Sequence, residues 1–233
     1  GTQAEKDRSV REHIELVGTA HFTQRSLNDA YRTVKLMKPK DIAIELDWKR
    51  FAVLNGACAT CPKHGFCRGR CEFIGAAEAL GNVDANIWLI DMSEQEMQYR
   101  IRSRMTFREM AYPRYHAGFI LDENSVWLWE RGFKDRVVEN SKREIETLRR
   151  FHPSVWTVLI DERNILMAAR LAWIASNNLS KGDRSKVLTF VGAAHVEGIK
   201  DLLKRPILIE ENLRRLHLLF TPPTLIKRIE VKD

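Results

Sequence analysis

Four short runs of β-branched and aliphatic residues punctuate the chain: His13–Val17, Ile42–Leu46, Ile87–Ile90 and Val187–Val191. Most are continuous apolar runs rather than alternations, the pattern of strands covered on both faces in a parallel sheet. Helical patterns lie between them. Ser26 precedes Leu27, Ala30, Tyr31 and Val34, with Asp29 close behind, which predicts a helix starting at Ser26 and ending near Pro39. Phe73–Leu80 reads as a short helix stopped by Gly81. Ser93 with Glu96 reads as a capping box that opens a helix through Met97, Ile101 and Met105. From about Ser125 to Asn178 the pattern is mostly helical, interrupted at Pro153. After Pro206, the runs Ile207–Ile209 and Leu216–Phe220 are expected to add a strand or two. The order predicts an α/β fold: a mostly parallel central sheet flanked by helices, one domain over 1–233, with a helical insertion at about 95–180 and a small Cys-rich loop at 56–72. Trp127-Leu128-Trp129 with Phe133 is read as core.

With 233 residues, 44% hydrophobic and 30% charged, the chain can bury a sizeable core. Its first residues are polar and charged, without the apolar region of a signal peptide, and no window reaches the roughly 18 apolar residues of a membrane span. These features predict a cytoplasmic protein or a cytoplasmic domain of a membrane protein. The excess of 38 Lys and Arg over 31 Asp and Glu, formally +7, permits anionic partners without demanding them. Arg100, Arg102, Arg104 and Arg108 flank the Met97–Ile101–Met105 stripe, which reads as a solvated polar face over an apolar one. No motif that reads RNA or DNA accompanies the charge, so nucleic acid is disfavoured as a partner.

One short pattern recurs: Gly18-Thr19-Ala20-His21 and Gly192-Ala193-Ala194-His195, each directly after a predicted strand and before a helix. Glycine is expected to permit a tight turn there, and the histidine to lie at the mouth of the following loop. Glu45 and Asp47 end the second strand and Asp91 the third, so every predicted strand ends in a histidine or a carboxylate. In open parallel sheets the crevice at those strand ends is where ligands bind. Two imidazoles and one or two carboxylates converging there are hard and borderline metal ligands. A divalent ion on them would lower the pKa of a bound water and polarise a carbonyl. Without an ion, a His–Glu pair can act as a general base and its orienter. Each residue also has a plainer reading: a capping or core histidine, or Asp91 as a helix cap. Glu45 resists it, because a carboxylate rarely lies unpaired in an apolar strand.

The stretches Gly18-Thr19-Ala20-His21-Phe22, Glu45-Leu46-Asp47-Trp48-Lys49-Arg50-Phe51, Ile160-Asp161-Glu162-Arg163-Asn164 and Val191-Gly192-Ala193-Ala194-His195-Val196-Glu197-Gly198-Ile199 together resemble the TraB/PrgY pheromone-shutdown family. That family is distantly similar to the Tiki metalloproteases and the erythromycin esterases. The resemblance implies a site of His21, Glu45 and His195, with Arg50, Asp47, Asp91, Glu162 and Arg163 as binding or assisting residues. It also implies metal-assisted cleavage of a peptide or ester bond, the ion being Mn, Co or Zn, or water attack at the same residues without a firmly required metal. Arg163 would suit an anionic group or a developing oxyanion; the plainer reading makes Asp161-Glu162-Arg163 one solvated helical turn. Many members of that family continue into C-terminal membrane helices, whereas this chain stops at Asp233. It therefore reads either as a short soluble member or as the soluble part of a protein that meets the membrane through a further C-terminal segment.

Four cysteines cluster as Cys58, Cys61, Cys67 and Cys71, a C-x2-C-x5-C-x3-C run. Their spacing suits a compact structural zinc clip. Two local disulfides are a second account and an iron–sulfur cluster a third, although the spacing fits no standard cluster run. The functional expectation is a hydrolase acting on a peptide or a small molecule. Its alternative is a module that sequesters a peptide, haem or metal ion without turnover. Homo-oligomerisation stays open.

Overall fold

A computed structural model describes residues 1–21, 23–60, 85–112 and 122–226, with backbone alone over 55–60. The elements are α1 (Gln3–Glu12), β1 (Ile14–Thr19), α2 (Gln24–Met37), β2 (Asp41–Ile44), α3 (Trp48–Thr60) and β3 (Asn86–Leu89). Then come α4 (Glu94–Arg104), α5 (Phe107–Met110), α6 (Glu123–Glu130), α7 (Lys134–Phe151), α8 (Pro153–Trp156) and a π-helical turn (Thr157–Glu162) that runs into α9 (Arg163–Ser180). The chain closes with β4 (Val187–Gly192), α10 (Ala193–Lys204), α11 (Pro206–Arg215) and β5 (Thr224–Ile226).

The architecture is α/β. A mixed, mostly parallel sheet runs in the order β1-β4-β2-β3-β5, with only β5 antiparallel to its neighbour β3. Its central strands β2 and β4 are buried along their whole length, because helices cover both faces. Strand alternation divides their side chains between two cores. Ile42, Ile44, Leu188 and Phe190 join Ala30 and Val34 of α2 and Phe51 of α3 on one face. Ala43, Val187 and Val191 turn to the other, against Ile165, Leu166, Met167 and Ala168 of α9 and Ile199 of α10. Each Val, Leu, Ile, Phe or Met side chain so buried contributes about 1.5–3 kcal/mol, so these two layers fix the register that aligns the strand ends.

Several local expectations are corrected. The cap of α2 is Thr23 rather than Ser26: the Thr23 hydroxyl accepts the Ser26 N–H at 3.3 Å, while Ser26 Oγ accepts from the Ala20 N–H and the Trp129 indole. The tail after Pro206 forms no strand at Ile207–Ile209 or Leu216–Phe220. Pro206 occupies the first turn of α11, and Ile209, Leu213 and Leu216 recur at helical spacing on the face turned to the core. The additional strand is β5, further on. Pro153 does break the central helical region, by opening α8, and Gly132 breaks it once more with φ of 88° between α6 and α7. The aromatic run is divided: Leu128 and Trp129 are buried, whereas Trp127 and Phe133 are about half exposed. Among the described residues no helix is long and apolar enough to cross a membrane.

Gly18 and Gly192 do not form turns. Both lie in the last part of a strand, and their requirement is space. A Cβ on Gly18 would stand 3.1 Å from Val196 Cγ2 and 3.2 Å from the Ala193 Cα, against the start of α10. Because one of those neighbours is backbone, Gly18→Ala is expected to destabilise the protein by about 1–3 kcal/mol through overpacking. The midpoint of urea unfolding measures this, and an unchanged midpoint would show that α10 yields at no cost.

Candidate functional site

The parallel strands β1, β4, β2 and β3 end along one edge of the sheet, and the chain leaves each of them through a polar residue. His21 lies in the turn after β1, Glu45 directly follows β2, Asp91 lies just past β3, and His195 is in the first turn of α10. His195 is thus helical rather than in a loop, because Gly192 passes from strand to helix without an intervening segment. The register carries Glu45 beside β4: its N–H donates to the Phe190 carbonyl at 3.2 Å.

Glu45 is the centre of the arrangement, and it is only 4% exposed. Its Oε1 accepts the Gly192 N–H at 3.0 Å, and the same oxygen lies 3.6 Å from His195 Nε2. Its Oε2 is 3.2 Å from His21 Nε2 and 3.4 Å from Arg163 Nη2. A Cβ on Gly192 would come within 3.3 Å of His21 Nε2 and 3.5 Å of Glu45 Oε1, so this glycine keeps the ring and the carboxylate in reach of each other. His195 is buried, whereas the His21 side chain keeps 34% of its exposure and marks the side from which solvent reaches the group.

Arg163 joins Glu45 to a second buried carboxylate. Its Nε donates to Asp91 Oδ1 at 3.1 Å and its Nη2 to Asp91 Oδ2 at 2.7 Å, a bidentate fork. Arg50 adds a bond from Nη2 to Asp91 Oδ2 at 2.7 Å, another to the Met92 carbonyl, and an ion pair with Asp47. Asp91 therefore anchors arginines rather than capping α4, whose cap is Ser93. Arg163 is buried, not part of a solvated turn. Glu162 is the residue that the structure does not bring to the site. It is 0% exposed and points away, onto Arg100 Nε at 2.6 Å and Arg104 Nη2 at 2.6 Å. Two arginines of the basic cluster on α4 are thereby engaged within the fold, not presented as a solvated face.

Helix geometry explains how three successive residues serve three partners. Side chains one position apart diverge by about 100° around a helix. From the point where the π-helical turn meets α9, Glu162 reaches α4, Arg163 reaches the strand ends, and Asn164 reaches α10. Asn164 Oδ1 lies 2.6 Å from His195 Nδ1. One turn of α10 beyond His195, Gly198 leaves room for that amide. Asn164, Gly198 and Arg170, whose Nη1 donates to the Asp91 carbonyl at 2.7 Å, complete the site without having been singled out from the sequence. For Gly198 a signal existed: it follows His195 by three residues, the spacing that shares a helix face. Cys61, Cys67 and Cys71, and the side chain of Cys58, lie outside the described residues.

Burial works against every charge here, and the partners decide the outcome. Burial would raise the Asp91 carboxyl, but Arg163 and Arg50 outweigh it and hold it below its ordinary value. The Glu45 carboxyl is likewise raised by burial, yet His195, the hydrogen bond with His21 and the Arg163 guanidinium keep it well below the usual range. His195 moves furthest. Burial lowers it to about 4, against the opposing pull of Glu45, so its imidazole is neutral at pH 7.

Among the described residues no group of three or more His, Cys, Asp or Glu side chains is arranged to hold a metal ion. The donors fit a dication in part. Both histidines bring Nε2 to one carboxylate, but the Glu45 oxygens already accept hydrogen bonds and the Arg163 guanidinium adds a fixed positive charge at 3.4 Å.

No protein-family model matches the chain, and no solved structure does, so the TraB/PrgY resemblance rests on the motifs themselves. An uncharacterized protein of Methanocaldococcus jannaschii is 28% identical over 221 residues, a match covering 82% of this chain and 53% of the relative. The chain thus spans about half the length of the curated relative it matches.

Two predictions follow from the charges. Arg163→Met leaves Asp91 and Glu45 buried without their shared cation, and should cost about 3–5 kcal/mol in denaturant unfolding; a loss below about 1 kcal/mol would contradict the pairing. Between the ordinary histidine value of 6.5 and about 4, unfolded His195 binds a proton that folded His195 refuses. Stability must then rise with pH across that window. Below it, the depressed Asp91 and Glu45 carboxyls withdraw further stability as they protonate. A His195→Asn variant should show a flatter slope between pH 4 and 6.5 than the parent protein in unfolding measured at successive pH values.

Proposed function

We propose that this site hydrolyses an acyl bond, with water activated between His195 and Glu45. The observation that carries the reading is the convergence of two imidazole Nε2 atoms on one buried carboxylate, at 3.2 and 3.6 Å, along the carboxyl edge of a parallel sheet. A neutral imidazole whose Nδ1–H donates to Asn164 presents a lone pair at Nε2. That lone pair faces Glu45 Oε1 at 3.6 Å, and two acceptors make no hydrogen bond with each other. A water within about 2.8 Å of both would satisfy the pair.

The chemistry is then a proton transfer coupled to attack. Water oxygen bonds to the carbonyl carbon as its proton passes to His195 Nε2. The tetrahedral species collapses by breaking the bond to the leaving nitrogen or oxygen, which takes the proton back from the imidazolium. The Glu45 carboxylate stabilises that imidazolium, and Arg163 keeps Glu45 ionised throughout. His21, on the solvent side, is placed to meet the substrate. The motif resemblance to the TraB/PrgY family and its Tiki and erythromycin esterase relatives supports a peptide or ester as the bond cleaved.

A divalent ion at the same residues is the second reading, favoured by the shared direction of the two Nε2 atoms. His21, Glu45 and His195 would hold it, and it would supply a bound water of lowered pKa. Metal analysis of the purified protein beside a His21→Ala/His195→Ala variant separates the two readings: metal lost only from the variant supports the ion.

Screening with fluorogenic esters and peptides tests the function itself. Glu45→Gln and His195→Asn should each lower kcat by about 10²–10⁴-fold while the circular dichroism spectrum is kept. Undiminished turnover in Glu45→Gln would sink the proposal. Tight retention of a substrate with no product would instead favour a sequestering module.

A further inference from the structure

The geometry points to Asn164 as a positioning residue that fixes which nitrogen of His195 carries the proton, and to Gly198 as the residue that keeps Asn164 in place. This inference deepens the proposed hydrolytic reading of the site and rests on it for its consequence, though not for its test.

Three observations carry it. First, His195 is buried, so bulk solvent does not select its tautomer; the groups packed around the ring do. Second, the two ring nitrogens are treated unequally. Nδ1 makes a short contact of 2.6 Å with the carbonyl oxygen of Asn164, an acceptor, which requires the proton on Nδ1. Nε2 lies 3.6 Å from Glu45 Oε1, beyond hydrogen-bond reach, and that oxygen already accepts the Gly192 N–H at 3.0 Å. The ring is thus held in the tautomer whose Nε2 lone pair faces the strand ends. The opposite tautomer would put two acceptors, Nδ1 and the amide oxygen, against each other in a buried contact.

Third, the Asn164 amide is confined. A Cβ on Gly198 would stand 2.5 Å from Asn164 Nδ2 and 3.4 Å from its Cγ, so any side chain there displaces the amide. The amide ends a flexible side chain and would yield by rotating, which takes its oxygen away from His195. The spacing His195-Val196-Glu197-Gly198 therefore couples an imidazole to the gap for its own orienting group, one helical turn away. Asn164 touches no reacting atom in this account; it acts through His195.

The test reads the tautomer directly. In protein labelled with ¹⁵N-histidine, long-range proton–nitrogen correlation spectra at pH 7 identify the protonated ring nitrogen, with the His195 signals assigned by their loss in His195→Gln. The expected result is a proton on Nδ1 in the parent protein. Asn164→Ala and Gly198→Ala should both shift it, wholly or as a mixture, to Nε2, and Asn164→Asp, which keeps an acceptor oxygen, should restore Nδ1. A parent protein protonated on Nε2 would overturn the proposal. So would an Asn164→Ala protein that keeps Nδ1 protonated, and an unshifted Gly198→Ala would overturn the role of Gly198. If Asn164→Ala does not fold, the parent spectrum and the Asp variant still decide. Because no substrate enters the measurement, failure to find turnover counts against the hydrolytic reading alone.

Discussion

A single guanidinium holds this site together. Arg163 lies between two carboxylates, Asp91 and Glu45, that leave different strands and that burial would otherwise neutralise or expel. Removing one ion from such a cluster leaves its partners under-compensated in a medium that tolerates them poorly. The consequence is positional. Held by Asp91, Arg163 presents a fixed cation to Glu45 at the end of β2, and the imidazoles on either side inherit a fixed anion against which their own proton states are set.

Topology delivers these groups to one place. With β4 between β1 and β2, the exits of β1 and β4 are neighbours, and the two Gly-x-x-His segments face Glu45 from adjoining positions. Where the π-helical turn runs into α9, three successive residues reach three elements: Glu162 reaches α4, Arg163 the strand ends and Asn164 α10. Glycines then set the clearances: Gly18 against α10, Gly192 between His21 and Glu45, Gly198 beside Asn164. In each case the missing Cβ leaves room for a close approach, not for an unusual backbone angle. That is why a repeated glycine pattern marks this site although neither of its first glycines forms a turn.

Much of this was legible in the sequence, and the exceptions have physical causes. Buried parallel strands announce themselves as apolar runs, which located β1 to β4 and so placed His21, Glu45, Asp91 and His195 at their ends. The same rule failed on Ile207–Ile209, because a short apolar run opening a helical stripe looks like a strand until its partners at Leu213 and Leu216 are counted. Glu162 was grouped with Arg163 by adjacency, yet neighbours on a helix diverge, and it serves α4 instead. Asn164 closes one of the stretches that carry the family resemblance, yet an uncharged amide declares no role until the histidine it meets, 31 residues away, is placed beside it. Arg100 and Arg104 looked like a solvated face because their buried counter-ion lies far along the chain.

The central claim is that Asp91 and Arg163 form one electrostatic unit on which the site is built, and a double-mutant cycle tests it most directly. Unfolding free energies would be measured for the parent protein, Asp91→Asn, Arg163→Met and the double variant. The account predicts that the double variant is less destabilised than the sum of the singles by about 1–3 kcal/mol, because each single change deprives a buried charge of its bidentate partner and the second removes that charge. Additivity within about 0.5 kcal/mol would show that the two residues act independently and would contradict it.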